Sequence, residues 1–340
     1  MVDRREFISR VLRGERGERL PRALFGGGRW SYQQTGLKIE ELDKNQDRFA
    51  ETLSGFFGEL DTDIVFLGSG LNSFPAEAIG GELAFRPEQA PLLSFPLIEK
   101  AEDARHLETV DISASPYTLA LVEMIAILRE RLAGRFLCTT SWGPFTWAMI
   151  LCDGNLLLEK TATHRTFVKE VCELGMRLSW ALFAPLIERG LIDGITISDG
   201  AATLIPLDLY REIVLPCERK IFERVREHGV GCFLHQCGDI RSQIPLYPES
   251  GADCISIDAG VSIGKVYELY HERLVTAGNV DVINTVFGGE PALLCKAVSE
   301  CVGEISDPYR NYILMPSCDP PPDTSLRNVK EFLACADRLE

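Results

Sequence analysis

His235 and Cys237 stand two residues apart, directly after the apolar run at 230–234. If that run is a strand continuing through them, residues i and i+2 project to one side. An imidazole and a thiol then point together. A further thiol, Cys318, follows a second apolar run at 311–315. One imidazole and two thiolates form a soft three-donor set that suits zinc, with a fourth position left for water or substrate. The spacing between Cys237 and Cys318 does not match a zinc finger, whose ligands come in close pairs. On residue types and spacing alone a second interpretation stands beside the first: a core histidine and two unrelated thiols.

Other polar residues follow apolar runs in the same way: Ser141, Trp142, Asp199, Asp258 and Asn279. Asp199 and Asp258 are candidates for general acid–base work, or for fixing His235 through its second ring nitrogen. Asp199 also stands where a helix cap would, before Gly200-Ala201. Asn279 is a candidate substrate contact, or a turn residue before Asp281. Trp142, and Arg29 from the amino-terminal region, are candidate substrate contacts at a site mouth. His106, His164, His228 and His271 fall on helical or loop stretches and read as surface or structural. The cysteines are eleven, an odd number, with no C-x-x-C pair. In a chain this long that argues against a secreted disulfide framework, and most read as small apolar core residues.

The elements that position these residues alternate. Strand candidates are 63–67, 135–139, 194–198, 230–234, 253–257, 274–277 and 311–315. Helical patterns cover 117–132, 156–189 as one helix or two, 207–228 and 328–339. In 207–228, Tyr210, Val214, Cys217, Ile221 and Val225 recur at three- or four-residue steps and form one apolar stripe. Strand–helix alternation predicts parallel strands with helical crossovers. Seven or eight strands over this length predict a closed α/β barrel, a single (β/α)8 TIM-type domain. No G-x-G-x-x-G follows the first strand, which argues against a dinucleotide-binding sheet. Residues 1–62 read as a helical cap, with a loop at Gly26-Gly27-Gly28, and 63–340 as the barrel. In such a barrel the chemistry sits at the carboxyl ends of the strands, where the polar residues above fall.

The chain has 340 residues, 46% of them hydrophobic, and a formal charge of −15. That composition supports a large core. The acidic surface repels phosphate backbones and anionic lipid, so nucleic acid and membranes are excluded as partners. No apolar run reaches membrane-spanning length. The amino-terminal decapeptide reads as a charged amphipathic helix rather than a secretory signal, so a cytoplasmic location is expected.

Several segments in order resemble the uroporphyrinogen decarboxylase superfamily. They are Gly143-Pro144-Phe145-Thr146, His235-Gln236-Cys237-Gly238-Asp239, Gly278-Asn279-Val280-Asp281, and Pro316 to Thr324 followed by Asn328-Val329. The resemblance covers most of residues 60–338. It implies the barrel fold and one of two chemistries: metal-free tetrapyrrole decarboxylation, or methyl exchange with a corrinoid protein at a zinc ion. The decarboxylase pattern is broken here. Gly26-Gly27-Gly28-Arg29-Trp30 replaces its arginine-rich segment, and Leu67-Gly68-Ser69-Gly70 lacks its aspartate. Ile150 stands for its tyrosine, and Cys318 for its histidine. The methyltransferase pattern, H-x-C and a distant C, is matched by His235, Cys237 and Cys318. The resemblance therefore implies a zinc-dependent methyltransferase of one-carbon metabolism. Such an enzyme works with a corrinoid borne on a partner protein and a small methyl donor or acceptor. The alternative is a metal-free decarboxylase-like lyase.

Overall fold

The computed structural model describes residues 3–25, 28–68, 70–86, 89–107 and 115–339. Gly26, Gly27 and Ser69, on which two of the loop expectations fall, lie outside them. The strands are β1 (Ile64–Leu67), β2 (Leu83–Arg86), β3 (Gln89–Leu93), β4 (Phe136–Trp142), β5 (Gly194–Ser198), β6 (Gly231–Gln236), β7 (Cys254–Ile257), β8 (Val275–Val280) and β9 (Tyr312–Pro316). The helices before β4 are α1 (Arg4–Leu12), α2 (Gly28–Thr35), α3 (Gln46–Gly58), α4 (Ala101–Leu107) and α5 (Pro116–Arg131). Between β4 and β6 come α6 (Pro144–Leu151), α7 (Gly154–Thr163), α8 (Arg165–Glu188), α9 (Leu207–Leu209) and α10 (Leu215–Arg226). The rest are α11 (Tyr247–Ser250), α12 (Ile263–Tyr270), α13 (Pro291–Gly303) and α14 (Leu326–Asp337).

Seven strands form one sheet in the order β1-β4-β5-β6-β7-β8-β9, every neighbour parallel. All seven expected strands are present in this sheet. Both of its faces are buried, which is why the strands read as continuous apolar runs rather than alternating ones. One face contributes Phe66, Phe136, Cys138, Phe233, Cys254, Ala277 and Ile313 to an interior cluster. Phe7, Ile8 and Val11 of α1 enter the same cluster, so the amphipathic amino-terminal helix packs on that face. The other face, including Val65, Leu137, Ile195, Leu234 and Ile255, packs under the helices.

An eighth strand was expected as the upper count, and the described residues place none in this sheet. A short bridge stands between β9 and β1 instead: Arg22 pairs in parallel with Leu314 and Ala23 with Ile64. The Ala23 amide donates to the Leu314 carbonyl at 2.9 Å, and the Leu314 amide donates to the Pro21 carbonyl at 2.8 Å. Two other departures are local. β2 and β3 form a separate antiparallel pair, short and only half-buried, with too little apolar alternation to read as strands. The stripe at 207–228 is helical, but its middle, Tyr210–Val214, widens to a π turn, and a period of 3.6 does not register one inserted residue.

Asp63 anchors the amino end of β1. It is fully buried and pairs with Arg19, with the Arg22 amide at 3.0 Å and with the Arg4 guanidinium at 3.7 Å.

Candidate metal centre

β6 runs two residues further than the apolar run suggests, so His235 belongs to the strand itself. Its neighbours in register are Ser198 on β5 and Ser256 on β7. The imidazole is 3% exposed. Its Nδ1 lies 3.0 Å from the Ser256 hydroxyl, and its Nε2 lies 3.6 Å from the Cys318 sulfur. The Phe25 ring stacks on it, with centroids 4.2 Å apart and planes at 29°. The ring is thus oriented from one edge and covered on one face, leaving Nε2 directed at the thiols.

Cys237 follows the end of β6 and packs on Gly200: a Cβ at that position would stand 2.6 Å from the Cys237 sulfur. The glycine is needed for the sulfur to take its place. Cys318 follows β9 on a loop tied to β8. The Ser317 amide donates to the Val280 carbonyl at 2.8 Å, and the Ser317 hydroxyl accepts from the Val282 amide at 3.2 Å. One donor atom from each of His235, Cys237 and Cys318 lies within 4.8 Å of the other two. The hydrogen bond from Cys318, and then that from His235, draws the Cys237 thiol down to about 4. The same bond, with burial, pushes the Cys318 thiol up. Without a cation the pair therefore shares one proton, held by Cys318, beside one thiolate. A soft cation in place of that proton fits the donor set.

Asp199 does not reach the imidazole, whose Nδ1 partner is Ser256. It is fully buried and accepts from the Phe145 amide at 3.1 Å, and from the Thr146 amide and hydroxyl, each at 2.7 Å. It therefore caps the first turn of α6, not the turn that follows it in sequence. Gly143 makes this possible, since a Cβ there would stand 2.2 Å from that of Asp199. Burial pushes the Asp199 carboxyl up to about 6, against the pull of its three donors.

Asp258 likewise binds backbone, the Gly238 amide at 2.8 Å and the Ala259 amide at 2.5 Å. The first of these contacts fixes the residue next to Cys237. Asn279 donates to the Asp258 and Val261 carbonyls, both at 2.9 Å, and so braces the loop that carries Asp258. The Trp142 indole N–H donates to Ser73 at 3.0 Å. Arg29 lies half-buried in the first turn of α2, and its Nε is buried with no hydrogen-bond partner among the described residues.

Three participants escaped the sequence. Ser256 lies in the middle of a buried run, and Phe25 and Gly200 carry no chemistry of their own. Only the register of β6 against β7 could have pointed to Ser256.

The family model for uroporphyrinogen decarboxylase (URO-D) matches residues 3–339. The methylcobamide:CoM methyltransferase MtbA of Methanosarcina acetivorans is 25% identical over 252 residues, covering 73% of this chain and 72% of that protein. A methylated-thiol–coenzyme M methyltransferase of Methanosarcina mazei is 28% identical over 138 residues, 40% of this chain and 35% of that protein. Curated uroporphyrinogen decarboxylases match as well. A solved methyltransferase from Methanosarcina mazei shares the fold, with a TM-score of 0.85 at 20% identity over 99% of this chain and 98% of the other. Among the described residues no helix is long and apolar enough to cross a membrane.

Proposed function

We propose, from the premise that this chain belongs to the uroporphyrinogen decarboxylase family, that it is a zinc-dependent methyltransferase. It exchanges a methyl group between a corrinoid on a partner protein and a small molecule, either a thiol acceptor or a methoxy, methylthio or methylamine donor. The chain is an enzyme, and the methyltransferases among its relatives give its class. The observation that carries the metal assignment is the convergence of His235, Cys237 and Cys318 from two separate strand ends. That trio is what a three-ligand zinc site with an open position requires.

Zinc bound there supplies Lewis acidity that keeps a substrate thiol in its nucleophilic thiolate form. The protein's own groups supply orientation. Ser256 holds the imidazole by Nδ1, as partners of metal-binding histidines do. Asp258 fixes the backbone after Cys237, and Asn279 fixes the loop of Asp258. Phe25 keeps water off one imidazole face. Asp199 contributes by holding α6 against the turn that carries Gly200, and remains the candidate acid or base among the buried carboxyls. At the mouth the half-buried Arg29 is assigned to an anionic group of the substrate, and the Trp142 face to the substrate body. The helices before β1 are assigned as a cap on one barrel domain.

Metal analysis of the purified protein beside a Cys318→Ala variant tests this. About one zinc per chain, lost in a variant that still folds, is the expected result. Absence of zinc in anaerobically purified, chelator-free protein overturns it and favours metal-free lyase chemistry.

A further inference from the structure

Two of the eleven cysteines are joined, Cys295 on α13 to Cys335 on α14. They lie outside the candidate metal centre and form a structure of their own with two charged neighbours. The Arg338 guanidinium stands 2.9 Å from the Cys295 sulfur and 2.8 Å from Glu331, whose carboxylate lies 3.6 Å from the same sulfur. The two sulfurs are unequal. Cys295 is half-buried and reachable from solvent, whereas Cys335 is 1% exposed. The remaining core cysteines, such as Cys138 and Cys232, are buried away from solvent, and burial pushes their thiols up.

We propose that Cys295 and Cys335 form a reversible thiol–disulfide couple that reacts with low-molecular-weight disulfides in a fixed order. Cys295 attacks first and Cys335 resolves. The guanidinium, nearer to the sulfur at 2.9 Å than the opposing Glu331 carboxylate at 3.6 Å, favours the thiolate, and the thiolate is the nucleophile in exchange. In the reduced protein Cys295 gives its proton to solvent. Its thiolate attacks one sulfur of the small disulfide RSSR, releases RS−, and leaves a mixed disulfide on Cys295. The Cys335 thiol, shielded from solvent but at bonding distance, then loses its proton and attacks the Cys295 sulfur, releasing the second RS−. Two protein thiols are oxidised to one disulfide, and RSSR is reduced to two thiols that carry off the two protons. The bond closes a segment of sequence separation 40 that contains β9 and Cys318, so this chemistry tethers the stretch carrying one of the metal-ligand candidates.

The test is exposure of fully reduced, folded protein to glutathione disulfide, followed by peptide mapping over time. Wild type is expected to form the 295–335 bond, and Cys335→Ser to trap glutathione on Cys295. Cys295→Ser is expected to leave Cys335 unmodified over the same time. Arg338→Gln is expected to slow adduct formation roughly tenfold, with Arg338→Lys restoring most of the rate. Three results each overturn the proposal: both cysteines remaining thiols in wild type, Cys335 taking the adduct as fast as Cys295, or Arg338→Gln reacting at the wild-type rate.

Discussion

Ser256 stands in register beside His235 on the neighbouring parallel strand, its hydroxyl 3.0 Å from the imidazole Nδ1. Because β6 and β7 are hydrogen-bonded through this point, the serine is held as rigidly as the histidine. Ser256→Ala should leave the fold intact and weaken zinc binding roughly 10- to 100-fold, the usual effect of losing such a partner. Competition with a chromophoric chelator measures this. Unchanged affinity would show that packing against Phe25 alone orients the ring.

The two thiols of the centre should differ sharply in the metal-free protein. Cys237 is held as thiolate by hydrogen bonds from Cys318 and His235, with its thiol near 4, while Cys318 keeps its proton. At roughly pH 6, iodoacetamide should therefore alkylate Cys237 before Cys318, since only thiolate reacts appreciably. Bound zinc should protect both. Peptide mapping reads the order, and faster labelling of Cys318 would contradict the asymmetry.

The strands were legible because a sheet buried on both faces writes itself as unbroken apolar runs, and all seven expected positions are occupied. His235, Cys237 and Cys318 were legible because metal ligands must be residues of particular types. The companions of Asp199 were harder to see. Its oxygens meet the amides of Phe145 and Thr146, more than 50 residues earlier, and a carboxylate before Gly200-Ala201 reads as the cap of its own turn. Long-range capping leaves no local periodicity. The bridge at Arg22 and Ala23 was invisible for the same reason, since two residues carry no pattern. Ser256 was missed because a small polar residue inside an apolar run reads as filler.

Glu218 should dominate the alkaline limb of stability. It is fully buried on α10, and Tyr210 donates to it at 2.6 Å. Burial, and then the charge of Asp199, pushes its carboxyl from 4.5 up to about 8. Its folded value exceeds its unfolded value, so the folded state holds the proton more tightly. The associated stability is complete below about 4.5 and is lost as pH rises through about 8. Denaturant titrations should show wild type losing ~2 kcal/mol or more across that window. Glu218→Gln, which keeps an acceptor for Tyr210, should flatten the decline and be the more stable protein at the alkaline end. A parallel decline in both proteins would count against this assignment.

Asp63 offers a purely structural control. Removing it takes one partner from Arg19 and unpairs the Arg22 amide. Asp63→Ala should cost about 1–3 kcal/mol, the usual penalty for leaving a buried donor without its acceptor, with zinc stoichiometry unchanged in the folded fraction. Thermal or denaturant unfolding measures the first quantity, and metal analysis the second. Loss of zinc from the folded protein would tie the amino ends of the strands to the centre.

Arg22 and Ala23 occupy the outward backbone positions of β9 and β1. A chain cut after residue 25 would keep all three metal-ligand candidates and every strand, yet carry two bare parallel edges with unsatisfied amides and carbonyls. Such edges recruit other chains. The segment before the first strand covers both edges at these two pairings, and a shortened protein is expected to associate through them before any weakness in its chemistry is seen.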